Sequence, residues 1–413
     1  MKPMGPIPPD FDGRSGQLLI GGFEAEALIA AAGDTPLFVY DMAIVRARLA
    51  RLRLAMPSEL HVHYAMKANP YAGLLKAIIP LVDGVDVASA GETDQALAAG
   101  AAAGRISFAG PGKRDDELAR AIAAGITLNL ESEKEAERVL AIAERSGRRP
   151  RLAVRINPDF ELRGSGMRMG GGAKPFGVDA DRAAALVRHI VASGADYHGL
   201  HIFAGSQSLD ADAIIEAQAS ACALAADIAE ASGVAPPLVN LGGGFGLPYF
   251  AGDEPLDVEA IGAALGQTLG RHRPRLPAAR FAIELGRWLV GEAGVYLTRI
   301  VDRKISHGEL FLIVDGGLHH QLAASGNFGT VVRRNYPVAL ANRFGEAVNE
   351  EATIVGCLCT PLDRLAEKVA FPHAEPGDIV AIFLAGAYGA SASPQAFLGH
   401  PPAREILVDG DMR

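Results

Sequence analysis

One lysine, Lys67, stands where an apolar strand would end. The run before it, His61-Val62-His63-Tyr64-Ala65, alternates as a half-buried strand does. An ammonium group is seldom buried unless it is paired. Loss of hydration favours the neutral amine, which attacks carbonyls and forms Schiff bases. The segment therefore indicates either a reactive amine or a surface lysine that opens a loop.

A carboxylate closes a second apolar run. Glu284 follows Phe281-Ala282-Ile283, and a buried carboxylate needs a partner. An arginine in a structural salt bridge and a nitrogen of a bound ligand both satisfy that need. Asp86 and Arg155 also end apolar runs and are candidates for a buried pair, which would support either Lys67 or the protein core.

Glycine is concentrated at one turn, Gly242-Gly243-Gly244-Phe245-Gly246. Such a turn exposes successive backbone N–H groups, which suit a phosphate, although a plain tight turn has the same composition. Ser206 adds a hydroxyl donor and Arg287 a charge-assisted bond. These residues are therefore candidates for an anion site.

The C-terminal third carries further reactive side chains. In Cys357-Leu358-Cys359-Thr360-Pro361-Leu362-Asp363 a cysteine precedes a carboxylate, and Tyr388 lies between small residues. Arg334 and Tyr336 could bind a carboxylate or form a solvated turn. We interpret Cys222 and Cys357 as buried apolar cysteines. The Cys-x-Cys spacing does not fit a zinc knuckle and no second pair completes one, so we expect no metal.

Eight short apolar runs alternate with Ala/Leu-rich helical stretches, which is typical of a TIM (β/α)8 barrel. The runs are His61–Ala65, Val85–Ala88, Ile106–Ala109, Thr127–Leu130, Leu152–Ile156, Gly199–Phe203, Leu238–Leu241 and Phe281–Leu285. In such barrels the chemistry lies at the C-terminal ends of the strands. The candidate residues fall at those ends repeatedly, and this joint pattern outweighs any single motif.

Beyond about Gly294, alternating runs are separated by Gly, Pro and charged turns. This sequence pattern predicts a β-rich barrel or sandwich domain, which a strand at Leu37–Tyr40 joins. We therefore expect an α/β chain with a TIM barrel over residues 38–290 and a β-domain formed by residues 1–37 and 291–413.

Composition excludes several classes of protein. The formal net charge of −9 argues against nucleic acid or an anionic membrane as a partner. Three cysteines give no disulfide framework and fit a reducing compartment. No unbroken apolar stretch reaches membrane-spanning length, so we expect a cytoplasmic protein.

Taken together, these motifs resemble the pyridoxal 5'-phosphate (PLP) decarboxylases that act on diaminopimelate, ornithine and arginine, which have the alanine-racemase-like fold. The resemblance runs from about Leu37 to Val408, with the motifs in family order. Asn157-Pro158-Asp159, Phe176-Gly177, His319-His320 and Ser391-Ala392-Ser393-Pro394 are similar to a subgroup that includes carrier-protein glutamyl decarboxylases and exosortase-associated decarboxylases.

The resemblance implies a role for each candidate residue. Lys67 would be the Schiff-base lysine, Glu284 would contact the pyridine nitrogen, and Cys359, from the partner subunit of a homodimer, would donate the proton. The cofactor-binding set would be Lys67, Asp86, Arg155, His201, Phe203, Ser206, Gly242, Gly243, Gly244, Glu284, Gly286, Arg287 and Tyr388. The residues at the substrate would be Arg287, Arg334, Tyr336, Asp363 and Tyr388.

Three departures from diaminopimelate decarboxylases concern the substrate. Phe203 replaces a histidine that stacks on the cofactor, Thr360 replaces an acidic residue, and the arginine segment that grips a distal carboxylate is altered at Arg334-Asn335-Tyr336. The substrate is therefore an amino acid, free or carrier-linked, that the sequence does not specify.

Other functions stay open. A racemase of this fold would place an arginine at the pyridine nitrogen and use a tyrosine as second base, so Glu284 and Cys359 favour decarboxylation. A regulatory homologue that binds PLP without catalysis would usually lose Lys67 or Cys359. A phosphate-binding barrel without PLP would leave Lys67, Glu284 and Cys359 unexplained.

Overall fold

The computed structural model describes residues 1–326 and 333–411, except for the side chains of residues 167 and 168. These residues form two compact units. The first unit comprises Met1–Arg48, Leu247–Pro255 and Arg287–Arg413, and the second comprises Leu49–Gly246 and Leu256–Gly286. The predicted domain boundaries at residues 37/38 and 290/291 stay a prediction.

The second unit contains a closed barrel of parallel strands, which confirms the predicted TIM barrel. Barrel strands 1 to 8 are His61–Ala65, Gly84–Val87, Ile106–Phe108, Thr127–Leu130, Arg151–Asn157, Asp196–Ile202, Leu238–Asn240 and Arg280–Leu285. The ring closes because strand 8 pairs in parallel with strand 1, placing Glu284 opposite His63 and Leu285 opposite Tyr64. Closure therefore brings together the ends of the first and last strands.

Helices follow the barrel strands, and ordinary capping signals define several of their ends. The Ser132 hydroxyl accepts a hydrogen bond from the Glu135 amide, and Gly147 ends the same helix in a left-handed conformation. The α-helices among the described residues are Ala25–Ala32, Met42–Ala55, Ala72–Ile78, Ala90–Ala98, Asp115–Ala124, Glu133–Ser146, Ala180–Ala192, Ala211–Ser232, Val258–His272 and Arg287–Val290. Within the described ranges, none of the helices combines the length and apolar character needed to cross a bilayer.

The first unit is β-rich, as predicted, and its longest strand is Gly294–Ser306. That strand pairs antiparallel with Leu37–Asp41, with Glu309–Val314 and with Ile379–Ile382. The remaining strands of this sheet are Val338–Leu340, Glu350–Val355, Arg364–Phe371 and Arg404–Val408. A separate three-stranded sheet consists of Gly13–Arg14, Gln17–Ile20 and Phe23–Glu24.

The shorter elements are two-residue strands and single turns of 3-10 helix. Short strands lie at Met167–Arg168, Val178–Asp179 and Gly205–Ser206. Single turns of 3-10 helix lie at Met66–Ala68, Ile79–Leu81, Ala103–Arg105, Ala390–Ala392 and Phe397–Gly399. The first of these turns carries Lys67.

A substitution at Gly243 tests how tightly the backbone is packed at the barrel mouth. A Cβ added there would lie 1.9 Å from the carbonyl oxygen of Glu284, a backbone atom that cannot move aside. Gly243→Ala should therefore lower the free energy of unfolding by about 1–3 kcal/mol, measured by denaturant titration. Gly270→Ala is the matched control, because its Cβ meets nothing within 4 Å inside a helix. Equal stability of the two variants would contradict the close packing.

Candidate active site

Lys67 occupies a single turn of 3-10 helix, Met66–Ala68, directly after barrel strand 1. Its two neighbours are buried, but the lysine side chain is exposed. The burial that the sequence argument assumed is therefore wrong for this residue, because a turn at the strand end lifts the side chain out of the core. Gly286, at the end of strand 8, packs beneath the same turn: a Cβ there would lie 2.9 Å from the Ala65 carbonyl oxygen.

Two side chains at the end of strand 6 face this region: Phe203, directly after the strand, faces the Lys67 turn, and His201 faces the end of strand 8. The Lys67 Nζ lies 5.6 Å from the centre of the Phe203 ring. His201 Nε2 lies 2.7 Å from Glu284 Oε2, and both side chains are buried. Lys67, Phe203, His201 and Glu284 therefore converge at one side of the barrel mouth.

Glu284 is held as a carboxylate. Burial would raise its pKa, but the positive charge of His201, and then those of Lys67 and Arg155, lower the pKa below its ordinary value. The amide of Asn240 donates a further hydrogen bond of 3.3 Å to Oε2. An ionised carboxylate with a histidine partner suits contact with a protonated ring nitrogen.

The predicted pair of Asp86 and Arg155 does not form. Asp86 instead lies beside His63, with Nδ1 3.3 Å from Oδ2. Burial would lower the pKa of His63, but the charge of Asp86, and more weakly that of Glu284, raises it above the ordinary value. Arg155 pairs with Glu131 at 2.8 Å, with both side chains buried. The pairs differ from the prediction because neighbouring strands supply the partners. His63 on strand 1 adjoins Asp86 on strand 2, and Glu131 after strand 4 adjoins Arg155 on strand 5.

Glu131 is a buried residue that the sequence reasoning missed. It follows strand 4, and its carboxylate accepts hydrogen bonds from the amides of Gly110 (2.6 Å) and Gly177 (2.7 Å). Burial opposes ionisation, but Arg155 and then Lys113 lower the pKa of Glu131. The sequence contains a signal for Glu131: it directly follows the apolar run Thr127–Leu130, just as Glu284 follows an apolar run.

The glycine turn after strand 7 approaches other backbone closely. Gly242 and Gly244 have φ of 71° and 91°, a conformation that favours glycine. The Gly242 amide donates to Asn240 Oδ1 at 2.9 Å, and its carbonyl accepts from the Glu284 amide at 2.9 Å. A Cβ on Gly244 would lie 2.9 Å from the carbonyl oxygen of Gly205, the neighbour of Ser206. The turn therefore packs closely against the segment that carries Ser206, and its Gly242 amide is already paired with Asn240.

The other predicted residues belong to the first unit, where Arg287 lies among tyrosines. Its Nη1 donates to the Tyr249 hydroxyl at 3.0 Å, and its Cζ lies 4.6 Å from the centre of the Tyr388 ring. Tyr249 also packs against Tyr336, with ring centroids 4.8 Å apart. Tyr336 is buried, and burial raises its pKa well above the ordinary value. Tyr249 was missed because nothing in its sequence context distinguishes it.

Arg334 stacks on the Phe250 ring, with Cζ 3.8 Å from the ring centre, and lies 3.8 Å from Asp253. Its neighbour Arg333 donates to the carbonyl oxygen of Leu362 at 3.4 Å. Arg334 is exposed and already has an aromatic and an acidic partner. This placement does not support the predicted grip on a substrate carboxylate.

Asp363 holds the loop that carries Cys359. Its two carboxylate oxygens accept hydrogen bonds from the amides of Leu318 (2.6 Å) and Leu358 (2.9 Å), and its side chain is buried. In this structure Asp363 has a structural role, and its predicted place at the substrate stays a prediction. Cys359 is exposed, whereas Cys357 is half-buried. Burial, followed by the charge of Asp363, raises the pKa of the Cys357 thiol to about 11.

Comparison with known proteins decides the family. Residues 42–291 match the model of the pyridoxal-dependent decarboxylases, pyridoxal binding domain. The chain belongs to this family. It is 38% identical to an L-glutamyl-[BtrI acyl-carrier protein] decarboxylase of Niallia circulans, over 91% of this chain and 89% of that protein. It is 32% identical to a diaminopimelate decarboxylase of Methanothermobacter thermautotrophicus, over 95% and 91%.

A solved structure has the same fold. Diaminopimelate decarboxylase of Helicobacter pylori, complexed with L-lysine, superimposes with a TM-score of 0.83 at 27% identity, covering 94% of this chain and 95% of that one. The protein is therefore a PLP-dependent amino-acid decarboxylase.

The residues at the barrel mouth fit PLP. Among the side chains that the structure describes, buried polar atoms without a hydrogen-bond partner include His201 Nδ1 and Asp86 Oδ1. Buried polar atoms are rarely left unpaired, so their presence here is consistent with a polar ligand. His63 and His201 also line a cavity of about 140 Å³. Its lining includes His61, Arg151 and Arg280, which begin their strands, so this cavity lies at the N-terminal ends of the strands and not at the mouth.

The Glu131–Arg155 pair should support the barrel mouth. Glu131→Gln leaves the Arg155 guanidinium buried without a counter-charge, which should cost about 3–5 kcal/mol of unfolding free energy at neutral pH. Because the folded-state pKa of Glu131 is lowered, its contribution is present above its ordinary pKa and is lost as the pH falls through the folded value. The difference in unfolding free energy between the variant and the wild type should therefore become smaller at acid pH.

Chemical denaturation at several pH values measures this difference. Glu259→Gln is the control, because Glu259 forms an exposed pair with Arg51 and should change stability by less than about 1 kcal/mol. A Glu131→Gln protein as stable as that control would refute the supporting role.

Proposed function

We propose that this decarboxylase binds PLP through Lys67 and Glu284 and protonates its product with Cys359. The observation that carries the proposal is the convergence of Lys67, Phe203, His201 and Glu284 at one side of the barrel mouth. An amine, an aromatic face and a buried carboxylate are the groups that a pyridine aldehyde would contact through its aldehyde, its ring and its nitrogen.

Each residue of the barrel mouth has a distinct task in this proposal. The exposed amine of Lys67 binds the cofactor aldehyde and is the group that the substrate amine displaces. Phe203 would pack on the ring face and Glu284 would keep the ring nitrogen protonated, while Ser206 and the amides of Gly243 and Gly244 would bind the phosphate. When bound, PLP supplies the electron-accepting ring that takes up the electron pair left as CO2 departs.

Cys359 is the proposed proton donor. Its thiol is exposed at the tip of a loop, and Asp363 fixes that loop through two backbone amides. The half-buried Cys357 is less accessible. By the family likeness we propose that Cys359 acts in the active site of the partner subunit of a homodimer, and that the enzyme works in the cytoplasm.

For the substrate we infer a carrier-linked amino acid rather than a free diacid. Arg334 is stacked on Phe250 and paired with Asp253, so it is not arranged to bind a distal carboxylate. The relative from Niallia circulans, whose name specifies a glutamyl group on an acyl-carrier protein, is similar over most of both chains. A linked side chain presents no free distal carboxylate, which agrees with this arrangement.

A CO2-release screen tests the activity and the substrate together. Labelled amino acids, both free and loaded on a carrier protein, are offered to the PLP-loaded enzyme. Release from the carrier-linked form, and little from free diaminopimelate, is the expected result. Preferential release from free diaminopimelate would overturn the substrate proposal but not the decarboxylation. Inversion of the α-carbon without CO2 would indicate a racemase instead.

Lys67→Ala should abolish both the absorbance shift of lysine-bound PLP and the release of CO2, because the proposal assigns the amine that binds the aldehyde to Lys67. Lys76→Ala is the matched control, since Lys76 is an exposed lysine on the next helix and should leave both signals unchanged. Absorption spectra and CO2 assays on the two purified variants provide the measurement. Retention of the shift and of full turnover by Lys67→Ala would show that another amine binds PLP.

Mixed dimers test the origin of the thiol. Lys67→Ala and Cys359→Ala should each be inactive alone. After the two are unfolded and refolded together, activity should return to about one quarter of wild type, because half of the dimers are mixed and each mixed dimer has one complete site. Recovery is measured as CO2 release. No recovery from correctly refolded protein would place both residues in one subunit.

A further inference from the structure

Three side chains that are distant in sequence meet within the β-rich unit. One ring nitrogen each of His319 and His400 and the Sγ of Cys357 all lie within 4.8 Å of one another. Cys357 Sγ is 3.9 Å from each ring nitrogen of His400. The sequence analysis missed this cluster because it considered only the Cys-x-Cys spacing, whereas the ligands come from three separate loops.

His319 is the member of the cluster that most needs an explanation. Its side chain is completely buried, and neither ring nitrogen has a hydrogen-bond partner among the residues that the structure describes. A buried imidazole without a partner is costly. Its ring packs against the His320 ring, with centroids 3.7 Å apart, and lies 5.2 Å from the centre of the His400 ring. An atom bound between these side chains would satisfy it.

Neighbouring contacts hold the three loops together. His320 donates from Nε2 to the carbonyl oxygen of Pro401 at 2.9 Å, which fixes the segment that carries His400. The amide of Cys357 donates to the Gly316 carbonyl oxygen at 3.3 Å. The ligand-bearing loops are thus tied to one another by groups that are not ligands themselves, as in known metal sites.

We propose that His319, Cys357 and His400 form a binding site for Zn²⁺ or a similar divalent transition metal. One thiolate and two imidazoles are a ligand set typical of zinc, with bonds of about 2.3 Å to sulfur and 2.0–2.1 Å to nitrogen. Tetrahedral geometry with those bonds separates sulfur from nitrogen by about 3.6 Å. The observed 3.9 Å between Cys357 and His400 is close to that separation, and the 4.8 Å that bounds the whole set would need a shift of about 1 Å. Binding releases the thiol proton of Cys357, and a water or an external ligand takes the fourth position.

The test uses the full-length purified protein and Zn²⁺ or Co²⁺ alone, with no substrate, so it is independent of the proposed function. Metal content after dialysis gives the stoichiometry, and the Co²⁺ form should show a thiolate-to-metal absorption band. We expect one equivalent per chain. His400→Ala and Cys357→Ala should each weaken binding at least tenfold, since even changes outside the ligand shell cost about 10–100-fold.

Matched variants separate this site from other sites. Cys222→Ala removes a buried cysteine far along the chain, and His373→Ala removes an exposed histidine that lies beside Glu350 and Glu375. Both variants should bind one equivalent and keep the thiolate band. Circular dichroism verifies folding. If Cys357→Ala does not fold, His400→Ala, at a half-exposed loop position, decides the question. No bound metal, or binding that survives His400→Ala or is lost in His373→Ala, would overturn the proposal.

Discussion

The pairing of barrel strand 8 with strand 1 is the constraint on which the site depends. Parallel register puts Glu284 opposite His63 and Leu285 opposite Tyr64, so the chain that leaves strand 8 passes the turn that carries Lys67. Only glycine fits at Gly286, because a Cβ would strike the Ala65 carbonyl oxygen and the Ala68 side chain. The distance between the amine turn and the carboxylate is thus set by backbone hydrogen bonds and not by flexible side chains.

Buried carboxylates at the barrel mouth have partners of different kinds, and the difference separates scaffold from chemistry. Glu131 is paired with Arg155 and accepts two backbone amides. An arginine does not lose its charge, so this pair is permanent. Glu284 and Asp86 lie beside histidines instead. A histidine can change protonation or exchange its partner near neutral pH, which leaves these carboxylates able to respond to a ligand.

Sequence patterns predicted the barrel well because each strand has both a hydrophobic run and a polar or glycine stop. Strands His61–Ala65 and Thr127–Leu130 have the predicted bounds. The β-rich unit was predicted less completely. Strand Val338–Leu340 has three residues and strand Arg364–Phe371 carries charges, so neither shows a clear alternating pattern, and their pairing depends on long-range partners.

Side-chain partners were harder to predict than strand ends. The strand ends predict where Asp86 and Arg155 lie along the chain. The strand order and the length of each side chain decide which residues they contact. Asp86 is next to His63, and Arg155 is next to Glu131. The same limit applied to Asp363, whose neighbours Leu318 and Leu358 are joined to it only by the fold. A carboxylate that closes two loops through backbone amides looks the same in sequence as one that binds a substrate. The hydrogen-bond partners distinguish them, because each oxygen of Asp363 accepts a backbone amide, whereas Glu284 accepts from the side chain of Asn240.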